Sequence, residues 1–166
     1  TGARQVVLVG HSQGGILARY WMRILDGAPK VRHLVTLGSP NNGTTMGGML
    51  SGMTNTKIGE SMITSAISSW FGPSGFQLIT GHPLLDEINC DGPVEEGVGY
   101  TNIATRFDTI IQPLETCFLE SDDPDADITN IVVQDLEPKS RVLHVDLPGD
   151  ARVRLIVRDA LDGIEV

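Results

Sequence analysis

The sequence has little that would place it in a membrane, on nucleic acid or in a disulfide-rich class. Its 166 residues contain no run of 18 apolar residues, which argues against a transmembrane helix. Only 12 residues are basic against 21 acidic ones, and a net charge of −9 argues against a nucleic-acid partner. Two cysteines, Cys90 and Cys117, are too few for a disulfide framework and form no metal pattern. Whether they form one bridge or stay free thiols is open.

What remains is typical of one globular domain. A hydrophobic fraction of 40% with 20% charged residues is ordinary for such a chain, and the length allows a real core. We find no internal repeat and no linker long enough to divide residues 1–166. No signal peptide is visible, and the sequence begins with Thr1 rather than Met.

The first forty residues predict a strand, a helix and a second strand. Val6–Val9 is a short β-branched run, as expected for a strand buried on both faces of a parallel sheet. Apolar residues then recur at helical spacing from Gly14, with Arg19 and Arg23 expected on the solvent side, and Gly27 marks the end of the helix. Residues 31–40 read as the second strand, so the two strands should be parallel.

The rest of the chain completes an α/β fold with at least four parallel strands. Residues 41–99, rich in Gly, Ser, Thr and Met, are interpreted as a lid-like insertion with a helix near 58–71, or as a loop with core-packing methionines. Strands are expected at 100–108 and 127–136, and a packing helix at 151–161. The acidic loop before 127 favours a solvated loop over a calcium site, because it lacks the glycine and terminal glutamate of a calcium loop.

The stretch GHSQGG follows the first strand directly and opens the helix. This context is typical of a nucleophile elbow, a tight turn that presents a serine at the carboxyl end of a strand. We therefore interpret Ser12 as a nucleophile. Gly10 and Gly14 stand two residues to either side, where a side chain is expected to collide with the neighbouring strand or helix. The helix that begins at Gln13 directs its amide groups at the same place.

A serine nucleophile needs a histidine base and a carboxylate that orients it. His144 lies between the last strand and the last helix, where the order Ser, acid, His places the base. His11 is expected to support the elbow, and His33 to be structural or exposed. His82, in the insertion, is a weaker candidate for the base.

The acid is predicted at Asp108, which is expected to end a strand upstream of the histidine loop. Asp86, Asp91 and the acidic loop compete for this role, but none of them follows a clear strand. The alternative for Asp108 is an aspartate that only starts a turn.

Four segments in order resemble the secreted bacterial lipases and esterases of the α/β-hydrolase superfamily, in particular the actinobacterial triacylglycerol lipases of class 2. They are residues 6–44, 97–113, 128–136 and 143–161. The resemblance implies Ser12 as nucleophile, Asp108 as acid, His144 as base and the Gln13 backbone N–H as an oxyanion-hole donor. It also implies hydrolysis of carboxylic esters in lipids, export from the cell and no organic cofactor, and it leaves a lipid surface open as a partner.

In that family, further strands and a second oxyanion donor precede the elbow. We therefore expect this chain to be the C-terminal part of a longer hydrolase whose N-terminal strands are missing here. Two alternatives stay open: an acyltransferase or thioesterase with the same three residues, and a catalytically incomplete scaffold.

Overall fold

A parallel β-sheet of four strands forms the centre of the protein. The computed structural model describes residues 2–46, 72–162 and 164. Within them the strands are β1 (Val6–His11), β2 (Val31–Leu37), β3 (Gly99–Ala104) and β4 (Ile128–Val132). They lie in the order β1-β2-β3-β4, and each neighbouring pair is parallel. The parallel sheet predicted from the apolar runs is confirmed. The prediction that Val6–Val9 is buried on both faces is wrong, because β1 lies at the edge of this sheet and leaves Val6 and Val9 46% and 51% exposed.

Among the described residues, four α-helices accompany the sheet: α1 (Gln13–Ile24), α2 (Pro83–Asn89), α3 (Val133–Leu136) and α4 (Ala151–Leu161). Short 3₁₀ turns occur at Ala28–Lys30, Pro73–Leu78, Leu114–Cys117 and His144–Asp146. No helix in the described ranges is long and apolar enough to span a membrane. The helix expected near residues 58–71 lies outside the described residues.

Helices α1 and α4 cover opposite faces of the sheet. Leu34 of β2 belongs to a buried cluster with Met22 of α1, whereas the next residue, Val35, belongs to a cluster with Val153 of α4. Successive side chains of a strand point to opposite faces, so the two clusters are the two halves of the core. A third cluster joins α1 to α2 through Ile16, Leu85 and Ile88, with Leu78 beside them.

Arg19 is the main departure from the pattern expected for α1. It was predicted on the solvent side, yet only 1% of it is exposed. Its guanidinium donates to the backbone oxygens of Asn41 and Pro93 and to Asn89 Oδ1. Burial lowers the pKa of Arg19 to about 10, which still leaves it charged at neutral pH. This arginine therefore ties α1 to residues 41 and 89–93.

Two further element boundaries differ from the sequence prediction. β3 ends at Ala104, so Asp108 lies four residues beyond the strand in a turn closed by its N–H on the Thr105 oxygen. Residues 133–136 form α3 instead of extending β4, and the buried Gln134 of this turn donates to Thr105 Oγ1. Short apolar runs do not distinguish a strand from a buried helical turn.

Candidate active site

Ser12 occupies a sharp turn between β1 and α1. Its backbone angles are φ 53° and ψ −125°, a region that side-chain-bearing residues rarely adopt. The Ser12 N–H donates to the Leu37 oxygen at 2.9 Å, which ties the turn to the end of β2. Gln13 is the first residue of α1, so its N–H belongs to the first turn, which has no partner within the helix. The turn therefore combines an unusual serine conformation with helix amides and a positive dipole end.

The glycines around Ser12 differ from the prediction in which of them lack space for a side chain. A Cβ on Gly10 would lie 2.6 Å from the backbone nitrogen of Gly15, and one on Gly15 would overlap Ser39 Oγ. A Cβ on Gly14, in contrast, would meet no described atom within 4 Å. The steric argument made for Gly14 is therefore wrong. At the start of α1, Gly15 packs closely against Gly10 of β1 and against Ser39, whereas Gly14 faces away from both.

His144 and Asp108 form a buried hydrogen-bonded pair. His144 Nδ1 lies 2.6 Å from Asp108 Oδ2, and the two residues are 5% and 4% exposed. The other carboxylate oxygen, Asp108 Oδ1, accepts from the N–H groups of Ile110 and Ile111 at 2.8 Å each. Because Nδ1 faces a carboxylate, it carries a proton, and Nε2 of His144 is left as the basic nitrogen.

A buried polar network joins the loop of Asp108 to the loop of His144. Gln134 Nε2 donates to Thr105 Oγ1, and Gln134 Oε1 accepts from the Arg106 N–H. Thr105 Oγ1 in turn donates to the backbone oxygen of Val142, two residues before His144. These bonds hold residues 105–108 against residues 140–144. Sequence reasoning missed Gln134 because its position had been interpreted as part of a strand.

His11, the residue before Ser12, connects the turn at Ser12 to the loop of His144. Its Nε2 lies 2.9 Å from the backbone oxygen of His144, and the two ring centroids are 4.8 Å apart. Since a carbonyl oxygen only accepts, Nε2 of His11 is the donor. Burial lowers the pKa of His11, which keeps it neutral at neutral pH. His11, which the sequence predicts as a support of the elbow, contacts the loop of His144 in the structure.

The other histidines and aspartates considered for the base and the acid lie away from the turn at Ser12. His33 is buried in the first half of β2 and contacts Thr101 Oγ1 at 2.9 Å, and burial lowers its pKa. His82 caps α2, its Nδ1 accepting from the Leu84 N–H. Asp86 and Asp91 are exposed, on α2 and in the turn that follows it. Asp108 is thus the carboxylate that the structure brings to His144.

The described residues offer no place for a metal. No group of three or more His, Cys, Asp or Glu side chains among them has a geometry that would hold an ion. Cys90 is exposed and Cys117 is buried, and both are free thiols in this structure. Burial raises the pKa of Cys117, so this thiol stays protonated.

An apolar cavity of about 290 Å³ begins beside the elbow. It runs along α1 from Gln13 past Ile16 and Leu17 to Tyr20, and Gln77, Leu78 and Leu84 form its opposite wall. Residues 13–20 of a helix span roughly 10 Å along its axis. The cavity is therefore a mainly apolar, partly open depression along α1, and Gln13, the residue after Ser12, belongs to its lining.

Comparisons with known proteins agree with this architecture. Residues 1–76 match the family model described as palmitoyl protein thioesterase. Lipase B of Aspergillus fumigatus superposes with a TM-score of 0.61 at 19% identity, over 84% of this chain and 32% of the lipase. A Listeria innocua protein gives 0.58 at 19% identity, over 99% of this chain and 60% of that protein. A carboxyl esterase of Bacillus coagulans gives 0.52 at 12% identity, over 95% of this chain and 63% of the esterase.

The chain has the α/β-hydrolase fold. It spans about a third of the Aspergillus lipase and about 60% of the Listeria protein. Ser12, Asp108 and His144 all follow the carboxyl ends of the parallel strands, the edge at which open α/β sheets carry their binding and catalytic groups.

Proposed function

We propose that this protein is a serine hydrolase that cleaves carboxylic esters of lipids. The observation that carries the proposal is the buried pair of His144 Nδ1 and Asp108 Oδ2, 2.6 Å apart, at the edge of the sheet where Ser12 adopts its strained turn. Packing alone gives no reason to bury a histidine and a carboxylate together beside such a turn. The lipase and esterase among the structural neighbours support the same reading.

The first half of the reaction acylates Ser12. His144 Nε2 takes the proton of the Ser12 hydroxyl as its oxygen attacks the ester carbonyl carbon. Negative charge then develops on the carbonyl oxygen, and the Gln13 N–H donates a hydrogen bond to it. The C–O bond to the alcohol breaks, and His144 gives its proton to the departing oxygen.

The second half restores the enzyme. Water enters the place that the alcohol has left, and His144 Nε2 removes one of its protons as it attacks the acyl-serine. The acid is released, and the proton returns to Ser12. Asp108 stabilises the imidazolium in both halves without taking the proton itself.

Apolar surface near the site supports a lipid substrate. The cavity along α1 offers Ile16, Leu17 and Tyr20 to an acyl or alcohol chain. Leu143 and Val145, on either side of His144, are 48% and 65% exposed, although apolar side chains of this size are more often buried. Contact with a lipid surface through these residues is part of the proposal, as is the export expected from the sequence.

Thioester hydrolysis is the second candidate. The match of residues 1–76 to a palmitoyl protein thioesterase model covers the elbow and α1 and favours testing it. The same three residues serve both reactions, since an acyl-serine forms in each and only the leaving group changes from an alcohol to a thiol.

A matched pair of substrates tests the proposal. Octanoic acid is offered as its ethyl ester and as its S-ethyl thioester, and release of acid is followed by titration for the parent and for Ser12→Ala. We expect turnover of the oxygen ester that falls by about 10⁶-fold in Ser12→Ala. Preference for the thioester would move the assignment to thioesterase, and transfer to an added alcohol would move it to acyltransferase. Equal rates in parent and variant would overturn it.

A further inference from the structure

Gly38 stands between the nucleophile and the base–acid pair. It directly follows β2, with φ +55°, and its N–H donates to the Ile103 oxygen of β3 at 2.8 Å. The residue before it, Leu37, accepts the Ser12 N–H at 2.9 Å. Leu37 and Gly38 are therefore bonded to opposite neighbours of β2. Leu37 binds Ser12, which follows β1, and Gly38 binds Ile103 of β3, the strand that precedes Asp108.

A side chain at position 38 would point at the hydrogen bond between His144 and Asp108. A Cβ on this residue would lie 3.1 Å from His144 Nδ1 and 3.3 Å from Asp108 Oδ2, the two atoms that share the 2.6 Å hydrogen bond. It would also lie 2.8 Å from Leu147 Cδ1. All three distances are shorter than ordinary van der Waals contact, so a methyl group would displace its neighbours.

We propose that Gly38 is a positioning residue: because it has no side chain, His144 Nδ1 and Asp108 Oδ2 can approach each other beside it. The role rests on the proposed function, because the pair has to orient His144 towards Ser12. With alanine at this position, the imidazole and the carboxylate have to shift away from the new methyl group by a few tenths of an ångström, which disturbs their hydrogen bond. The base then no longer holds the orientation that the proton transfer requires.

Two simpler roles for this glycine have to be separated from the proposed one. The positive φ alone favours glycine, whatever lies nearby. The contact with Leu147 alone would make an alanine here an overpacked core residue. Neither role involves the hydrogen bond between His144 and Asp108.

Four variants separate these roles. Gly38→Ala is the test, and Gly97→Ala is the control for backbone strain, since Gly97 has φ +77° and a Cβ there would meet no described atom within 4 Å. Leu147→Val removes the methyl group that an alanine at position 38 would touch most closely. The double variant Gly38→Ala/Leu147→Val keeps the contact with the pair and relieves the contact with Leu147.

Two readouts are used on each folded variant. Proton NMR detects the His144 Nδ1–H as a far-downfield resonance, identified by its loss in Asp108→Asn; it reports the pair whether or not the protein hydrolyses esters. The kcat and KM for octanoic acid ethyl ester report the consequence. A parent with the resonance but without turnover would count against the proposed function and leave the test of Gly38 intact.

We expect Gly38→Ala and the double variant to shift or lose the resonance and to lower kcat by roughly tenfold to a hundredfold with little change in KM. Gly97→Ala and Leu147→Val should keep both parent values. A parent-like resonance and kcat in Gly38→Ala would overturn the proposal. So would recovery of both in the double variant, which would assign the glycine to packing against Leu147. Failure of both Gly38 variants to fold, with Gly97→Ala and Leu147→Val folded, would also overturn it, because the glycine would then be required for folding and not for positioning the pair.

Discussion

His11 Nε2 donates a hydrogen bond of 2.9 Å to the backbone oxygen of His144, across 133 residues of sequence. His11 is the residue immediately before Ser12, and His144 is the base of the proposed mechanism. The bond therefore sets the distance between the elbow and the loop of the base. Because burial lowers the pKa of His11, the ring stays neutral and adds no charge beside His144 at neutral pH.

Removal of this bond should reduce turnover without removing it. We expect His11→Ala to lower kcat by about two- to tenfold, since one hydrogen bond contributes about 0.5–1.5 kcal/mol and 1.4 kcal/mol corresponds to a factor of ten. Gln at the same position offers an N–H at similar reach and should recover part of the loss. Steady-state kinetics on variants of equal melting temperature would check this. Parent-like kcat in His11→Ala would show that the bond does not position the base.

Asp108→Asn should separate catalysis from folding. The amide oxygen of Asn can still accept from the Ile110 and Ile111 N–H groups, as Asp108 Oδ1 does, so the loop should keep its shape. The negative charge opposite His144 Nδ1 is lost, and we expect kcat to fall by about 10⁴-fold, the size of loss known for such a change in a serine protease. Asp108→Ala is the control that also removes the loop contacts, and it should melt at a lower temperature than Asp108→Asn. A fall in kcat of less than tenfold in Asp108→Asn would contradict the role.

Alanine at the two adjacent glycines of the elbow should have opposite effects. Gly15→Ala forces a methyl group onto the buried Ser39 side chain, and overpacking of this kind costs about 1–3 kcal/mol. Gly14→Ala meets no described atom and lies in the first turn of α1, where alanine is favoured over glycine by about 0.5–1 kcal/mol. Urea unfolding of the two variants measures both free energies. Equal destabilisation by the two alanines would show that a side chain at position 14 collides with its neighbours as well.

Asp150 should make stability depend on pH in the acid range. Its carboxylate bonds the Arg152 side chain and caps α4 by accepting from the Arg152 and Val153 N–H groups, and these bonds lower its pKa to about 2. Because the folded value lies below the unfolded one, the stabilisation is complete above about pH 4 and is lost as the pH falls through about 2. Arg152 is exposed, so water screens this ion pair and we expect its contribution to stability to be small.

Asp150→Asn keeps an oxygen at the helix cap and removes the charge. The difference in melting temperature between parent and variant should be largest above pH 4 and should vanish near pH 2. A difference that stays constant from pH 7 to pH 2 would contradict the assigned ion pair.

The features predicted from the sequence were those fixed by local pattern. The β-branched run at Val6–Val9 and the helical spacing after Gly14 are set within a few residues, and so is the turn that contains Ser12. The predicted ends of β3 and β4 were wrong because the strands stop at Ala104 and Val132. Beyond them, Asp108 accepts from the amides of its own turn, and Gln134 donates to Thr105, which is distant in the sequence. No periodicity records such contacts.

Buried polar residues were the least predictable part of the site. Arg19 has the spacing of a solvent-facing residue, yet two backbone oxygens and Asn89 Oδ1 accept its hydrogen bonds in the interior. Gly15 and Gly14 are equivalent in the sequence, and only the position of Ser39 distinguishes them. Similarly, Gly38 reads as an ordinary glycine after a strand until His144 and Asp108 are placed beside it.

The central claim is that Ser12 is an activated nucleophile served by His144 and Asp108, and covalent labelling tests it most directly. The parent, Ser12→Ala and Asp108→Asn are treated with a fluorophosphonate probe, and their intact masses are measured. The account predicts one adduct on the parent, none on Ser12→Ala and much slower labelling of Asp108→Asn. A folded parent that takes up no probe, or a Ser12→Ala variant that is labelled as fast as the parent, would contradict it.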